Sequence, residues 1–212
     1  MKPLRNPDAA ADWDRRYSEQ DLLFSAEPTS ILVELVSGLP PRRALDLGAG
    51  EGRNTLWLAR QGWRVTAVDF SRAGLAKAER RARESGLEIS CIPADLREHR
   101  PPAQAFDLVL IAFVHPLPAQ RPAIFARAAG AVAPGGHLLV VGRDLSDCGT
   151  GYGGPSDPQR RYTPERLAAA FPGLQELRRD AVRRPPRSDE EPPGPTDTVV
   201  WCMRPSTPTP GT

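Results

Sequence analysis

An α/β architecture is what this sequence predicts, a mostly parallel sheet with helices on both faces. Three observations lead there. Between residues 43 and 142, short apolar runs of strand length alternate with amphipathic stretches of helical period, the rhythm of βαβ units. The run from Phe106 to Ala112 is almost unbroken in its apolarity, as suits a parallel strand covered on both faces. Gly48, Gly50 and Gly52 follow the first apolar run at every second position, where the backbone has to turn sharply from strand into helix.

Each element follows from its residues. Trp13 to Tyr17 (Trp-Asp-Arg-Arg-Tyr) starts a short helix after a frayed stretch over residues 1–12. Two readings are open for it: a surface helix pinned by Trp13, or a cover over a ligand. Pro28 to Ser37 is an amphipathic helix with Ile31, Leu32, Leu35 and Val36 on one side, ended by Gly38 and Pro40-Pro41. Ala44, Leu45 and Leu47 form the first strand; Leu56 to Ala59 are the apolar part of a helix that Gly62 ends; Arg64 to Val68 is the second strand, closed by Asp69. Ser71 caps a helix with Leu75, Ala78 and Ala82 inside and Lys77, Glu79, Arg80, Arg81 and Arg83 outside, stopped by Gly86. Leu87 to Ile92 is the third strand and Phe106 to Ala112 the fourth. His115-Pro116-Leu117-Pro118 is a stiff turn, followed by a helix through Ile124, Phe125, Ala128 and Val132. Pro134-Gly135-Gly136 turns the chain into a fifth strand, His137 to Gly142. Residues 143–162 are a long loop, a length at which loops are functional or mobile. Thr163, Pro164 and Glu165 mark a helix start, Pro172-Gly173 its end, and Leu174 to Val182 and Thr196 to Met203 form a final antiparallel strand pair.

Composition narrows the function classes. A net charge of +2 on 212 residues gives no field that argues for nucleic acid or an anionic membrane surface. The longest apolar stretch, Leu108 to Val114, is too short to span a bilayer, and the N-terminus lacks the apolar run of a signal peptide. Cys91, Cys148 and Cys202 are odd in number and far apart, which fits reduced thiols in a cytoplasmic protein. No His, Cys, Asp or Glu cluster has metal-ligand spacing, so no metal is expected. His99 and His137 are expected at the surface.

The informative stretch is residues 43–71. Asp46-Leu47-Gly48-Ala49-Gly50-Glu51-Gly52 resembles motif I of the class I S-adenosylmethionine-dependent methyltransferases, and Val68-Asp69-Phe70-Ser71 resembles their second motif. The longer run through Arg53-Asn54-Thr55-Leu56-Trp57-Leu58-Ala59 resembles the small bacterial branch that includes tellurite-resistance and thiopurine-type enzymes. The resemblance covers residues 13–142 well and the rest in outline. It implies a Rossmann-like class I methyltransferase fold, with a mostly parallel seven-stranded sheet whose antiparallel last strand inserts beside the fifth. It also implies an N-terminal cap or lid over residues 1–38 and a catalytic domain over 39–204; the composition of 205–212, Pro-Ser-Thr-Pro-Thr-Pro-Gly-Thr, is that of a disordered tail.

Carried onto this sequence, the resemblance implies a cofactor-binding set of Trp13, Tyr17, Asp46, Gly48, Ala49, Gly50, Gly52, Asn54, Asp69, Phe70, Ser71, Asp95, Leu96 and Ala112. The glycine turn faces the amino-acid part of S-adenosylmethionine, and Asp69, 21 positions after Gly48, accepts from the ribose hydroxyls. Asp95 with Leu96 meets the adenine edge and Phe70 its face; Asp95 also reads simply as a turn aspartate. His115 is the one candidate catalytic residue: an ordinary imidazole there titrates near neutral pH and can take a proton from an acceptor. It reads equally as a histidine bonded to backbone. The expected activity is methyl transfer to a small-molecule acceptor, giving S-adenosylhomocysteine, by a monomer or weak homodimer without nucleic acid or membrane partners. The alternatives are an NAD- or nucleotide-binding Rossmann protein and a non-catalytic S-adenosylmethionine-binding protein.

Overall fold

Strand-length apolar runs become strands, and most of the glycines between them become turns. The computed structural model describes residues 6–185 and 193–206. In chain order its elements are α1 (Ala10–Ser18), α2 (Ser30–Val36), β1 (Arg43–Leu47), α3 (Arg53–Arg60), β2 (Arg64–Asp69), α4 (Arg72–Glu84), β3 (Ile89–Pro93), β4 (Phe106–Ala112), α5 (Arg121–Ala131), β5 (Val132–Arg143), α6 (Pro164–Ala168), β6 (Gln175–Arg183) and β7 (Thr196–Met203). The seven strands take the order β3-β2-β1-β4-β5-β7-β6. β1, β2 and β3 pair in parallel, as do β4 and β5, while β7 is antiparallel to both β5 and β6. This is the predicted Rossmann-like sheet, with the antiparallel last strand beside the fifth. No helix of the described residues is long and apolar enough to cross a membrane.

The chain divides into two compact units, Met1–Arg100 and Pro101–Thr212. In the first, β1 and β2 pair from Arg43 with Arg64 to Leu47 with Val68. That register ends both strands together, so Asp69 emerges beside the glycine turn. Leu45, Leu56, Leu58, Ala67, Val68 and Ala78 are buried and form the core between strands and helices. Gly52 precedes α3 with φ +78°, a left-handed conformation that glycine adopts without strain.

Two expectations fail here. Residues 1–12 are not all frayed: α1 already begins at Ala10, and Asp12 is buried, accepting from Asn6 N–H and from Arg15. Residues 1–5 lie outside the described part. Lys77, predicted on the outer face of α4, is buried instead, because its ammonium finds a carboxylate, Glu51 Oε1 at 2.9 Å, and the carbonyl of Gln20.

In the second unit, Leu108 to Ile111 and Leu138 to Val141 are fully buried, as the unbroken apolar runs require. The helix predicted through Val132 stops one residue earlier, and β5 starts at Val132 rather than at His137. Phe106 pairs with Val132 and Leu108 with His137, so Pro134-Gly135-Gly136 is a bulge inside the strand and not a turn before it. Arg204 closes that bulge. Its Nε donates to Val132 O at 2.7 Å and its Nη2 to Ala129 O at 2.8 Å, capping the end of α5. His137 is half-buried rather than at the surface, stacked on Trp201 at 4.6 Å. Thr163 caps α6 through its side chain as predicted, and the long 143–162 loop contains two short 3₁₀ turns, Leu145–Asp147 and Pro158–Arg160. The expected tail beyond Ser206 and much of the predicted 183–195 connection fall outside the described residues.

The closeness of α3 to α4 yields a testable outcome. A Cβ on Gly52 would sit 2.6 Å from the Ala78 methyl, at a φ of +78°. Gly52→Ala is expected to lose about 2–4 kcal/mol in urea unfolding, from overpacking plus left-handed strain. Gly38→Ala, where nothing lies within 4 Å, is the near-neutral control.

Candidate functional site

The first unit gathers most of the expected cofactor residues at the carboxyl ends of β1 and β2. Gly48 N–H and Ala49 N–H both donate to Val68 O, at 2.7 and 3.1 Å, which folds the glycine turn back over β2. Gly48, Gly50 and Gly52 all have positive φ, +82°, +54° and +78°. Asp69 then accepts at both oxygens: Gly50 N–H on Oδ2 and Ser71 N–H on Oδ1, each at 2.8 Å. Burial raises the Asp69 carboxyl to about 6, against the hydrogen bonds from Ser71 and Gly50 that pull it down. Asp46 is more deeply buried and accepts from the Thr55 hydroxyl at 2.6 Å, joining β1 to α3. Burial lifts its carboxyl to about 6 as well.

Helix α1 docks on this turn. Ser71 Oγ–H and Ala73 N–H donate to Asp14 Oδ1, at 2.6 and 2.9 Å, so a residue of α1 caps the start of α4 together with Ser71. The Tyr17 ring is buried against Gly50, where a Cβ would stand 2.6 Å from the tyrosine hydroxyl. Burial and the nearby Asp69 and Glu51 carboxylates push the Tyr17 hydroxyl well above its ordinary pKa, so it stays protonated. Trp13, Tyr17 and Phe24 form an aromatic cluster with centroids 5.7–6.4 Å apart. Arg16 lies over the Trp13 ring at 5.2 Å and keeps a buried Nη2 without a hydrogen-bond partner among the described residues.

Not every candidate joins this group. Asn54 is buried, and its Oδ1 accepts Thr29 N–H at 2.9 Å, so its side chain holds the segment before α2. Phe70 is half-buried just after β2. Asp95, beyond β3, accepts Arg97 N–H at 2.8 Å, as a turn aspartate does, and also binds the Arg97 guanidinium, whose hydrogen bond holds its carboxyl below the usual range. Leu96 follows it, half-buried.

Ala112 and His115 belong to the second unit, at the end of β4. Phe113 has φ +59°, a left-handed conformation that costs a bulky residue about 1–3 kcal/mol, and its N–H donates to Val141 O at 2.7 Å. The His115 ring is tied at both nitrogens. Nδ1 meets the Arg160 carbonyl at 3.0 Å, and Nε2 accepts Arg143 N–H at 3.3 Å, which assigns the proton to Nδ1. Its ring stacks on Tyr162 at 5.2 Å, and the Tyr162 hydroxyl donates to Val114 O at 2.6 Å. The expectation of an imidazole titrating near neutrality fails. Burial, reinforced by Arg143, Arg161 and Arg121 and only partly offset by the Arg160 carbonyl, lowers it to about 3.

Sequence reasoning missed Asp14, Glu51, Tyr162 and Arg160. Asp14 and Glu51 carried a signal: each is an acid inside a stretch already singled out, Glu51 between two glycines with Lys77 and Arg81 one helical turn apart on α4. Tyr162 and Arg160 come from the long loop, where neither period nor motif locates a side chain.

Comparison with known proteins fits this geometry. Residues 44–136 match the family model described as a methyltransferase domain. The matched stretch is shorter than half of the chain and contains the glycine turn and Asp69. Over that stretch the chain is similar to methyltransferase domains, and its sheet has the Rossmann-like order that the resemblance led one to expect. It is 36% identical over 111 residues to a demethylmenaquinone methyltransferase of Thermus thermophilus, covering 51% of this chain and 50% of that one. The chain thus spans about half the length of that relative. Among solved structures, the N-methyltransferase NodS of Bradyrhizobium japonicum, in complex with S-adenosyl-L-homocysteine, superposes with a TM-score of 0.71 at 18% identity, over 94% of this chain and all (100%) of that one. TehB of Haemophilus influenzae gives 0.68 at 18% identity, over 83% of this chain and 62% of that one.

The raised carboxyls make stability depend on pH in a definite direction. Folding lifts Asp46 from 3.8 to about 6, so the folded chain holds that proton more tightly than the unfolded one. Its contribution is present below pH about 4 and lost as pH rises through about 6. Asp46→Asn keeps an acceptor for Thr55 and removes the buried charge. It is expected to exceed the parent in stability at pH 8 by on the order of 1–3 kcal/mol and to match it at pH 4, in urea unfolding at the two pH values.

Proposed function

We propose that the chain transfers a methyl group from S-adenosylmethionine to a small-molecule nucleophile by in-line displacement and releases S-adenosylhomocysteine. The observation that carries this reading is the Asp69 carboxylate. It is buried and gripped at each oxygen by one backbone N–H, and each oxygen retains a lone pair for a hydroxyl. A vicinal ribose diol is the group that such a carboxylate, at the end of a second strand, is suited to accept from.

The remaining residues fit the rest of the cofactor. The three positive-φ glycines let its amino-acid part approach the backbone. The orphaned Nη2 of Arg16 supplies a counter-charge for its carboxylate. Asp95 and Leu96 serve the adenine edge and Phe70 its face, and Trp13 and Tyr17 cover the site. When bound, the cofactor brings a methyl group already activated on a sulfonium. The chain's own residues therefore bind, align and exclude water. The modest net charge of +2 supports a small acceptor over a polyanion.

In this reading His115 acts as a positioning residue. Neutral and bonded at both nitrogens, it fastens the strained Phe113–His115 corner to the start of the 143–162 loop and to Arg160. No proton moves through it.

Two measurements test these roles. By calorimetry the parent is expected to bind S-adenosylhomocysteine and not NAD. Asp69→Ala should weaken that binding by about 1.5–3 kcal/mol, the loss of a charged hydrogen bond, and Gly50→Val should abolish it by steric block. Preference for NAD, or parent-like binding by both variants, would sink the assignment. On an acceptor found by screening thiols, chalcogens, amines and phenols with labelled cofactor, His115→Ala should lower turnover and leave cofactor affinity unchanged. His115→Gln, which can still donate and accept, should restore most of it. A turnover profile that rises with a His115-dependent pKa between pH 6 and 9 would return the imidazole to proton transfer.

A further inference from the structure

Glu51 stands inside the glycine turn, between two residues at φ +54° and +78°, yet its carboxylate is buried and committed to the N-terminal segment. Oε1 accepts Leu23 N–H at 3.0 Å and the Lys77 ammonium at 2.9 Å. Oε2 accepts Leu23 N–H at 3.0 Å and Phe24 N–H at 3.2 Å. Lys77 in turn donates to the Gln20 carbonyl, and the backbone carbonyl of Glu51 accepts from Arg81 Nη1 at 3.0 Å. Residues 19–29 contain no helix or strand, so their backbone groups depend on bonds of this kind for order. The same segment continues back into α1, whose Tyr17 covers Gly50 and whose Asp14 caps α4.

From this arrangement we infer that Glu51 couples the glycine turn to the N-terminal cover, so that releasing the cofactor requires unfastening residues 20–24 from its carboxylate. The inference rests on the S-adenosylmethionine reading above. Its physical basis is that lifting the Trp13–Tyr17–Phe24 cluster strips two N–H groups from the buried Glu51 carboxylate and the Gln20 carbonyl from the Lys77 ammonium that stays beside it. Those are charge-assisted bonds, stronger than neutral ones, and the exposed carboxylate has to be rehydrated at the same moment. The two flanking glycines have no side chains to brace residue 51, so its orientation is set by these partners. A change at the segment is therefore felt by the turn, and the reverse. Gly74 permits the contact from the other side: a Cβ there would stand 3.1 Å from both Gly50 O and the Tyr17 ring.

The test follows the rate of release. Labelled S-adenosylhomocysteine bound to the full chain is chased with excess unlabelled ligand, in the parent and in Glu51→Ala, Glu51→Gln and Leu23→Pro. Leu23→Pro removes the shared N–H from the segment's side and leaves the glycine turn intact. Glu51→Ala and Leu23→Pro are expected to release roughly 10- to 100-fold faster, the factor that accompanies loss of one or two charged hydrogen bonds, with Glu51→Gln between them and the parent. In parallel, trypsin cutting after Arg15 or Arg16 should be slowed by S-adenosylhomocysteine in the parent and not in these variants. A residue that merely stabilises the fold would lower the unfolding temperature and leave release and protection unchanged. That outcome overturns the coupling. If Glu51→Ala fails to fold, Leu23→Pro and Glu51→Gln decide by the same readouts. Failure of the parent to bind S-adenosylhomocysteine would instead defeat the cofactor reading itself.

Discussion

Two backbone N–H groups that no helix or strand satisfies, those of Gly50 and Ser71, end on one buried carboxylate, and the first unit is arranged about that junction. Asp69 thereby links the glycine turn after β1 to the start of α4. Without it both amides would be buried and unpaired, each with the penalty that accompanies such groups. The junction has a second consequence. Keeping a charge in so dry a place is unfavourable, as the raised carboxyl shows, and the arrangement is retained against that tendency.

The second unit solves a different problem, a long loop with little regular structure. Its carbonyls are satisfied by guanidinium groups. Arg161 donates to Pro155, Asp144 and Gly153 carbonyls at 2.8–3.2 Å, and Arg121 to those of Pro116, Gln159 and Arg161 while lying 4.7 Å from the Tyr162 ring centre. The planar fork of arginine reaches several acceptors in different directions, which an ammonium on a flexible stem does less well. Tyr162 is the centre of this assembly, between His115 and Arg121. Gly142 leaves room for it, since a Cβ there would fall 2.5 Å from the ring.

Much of this was legible in the residues because it is local. The glycine spacing, the acid closing β2, the Ser71 cap and the unbroken run of β4 each depend on neighbours a few positions away, and each stands where periodicity puts it. What escaped was long-range pairing of polar groups. Lys77 has the pattern of an outward residue and is inward only because Glu51, 26 positions earlier, awaits it. Asn54 has the position of a ligand contact and bonds Thr29, 25 positions back. Val132 continues a helical period but is claimed by a strand whose bulge is closed by Arg204, 72 positions on. His115 is the sharpest case: its place after β4 was readable, whereas its depressed titration comes from burial and from three arginines of other segments.

The outermost strand has a bearing on solution behaviour. Among the described residues β6 pairs with β7 alone and so forms one edge of the sheet. Glu176, Arg178, Arg179, Asp180 and Arg183 stud it, and its pairing shifts register between Glu176 and Arg178. Another chain's strand adding there would have to desolvate these charges and follow an irregular edge. Charge and an irregular edge thus disfavour strand addition at β6, one of the two margins of the sheet.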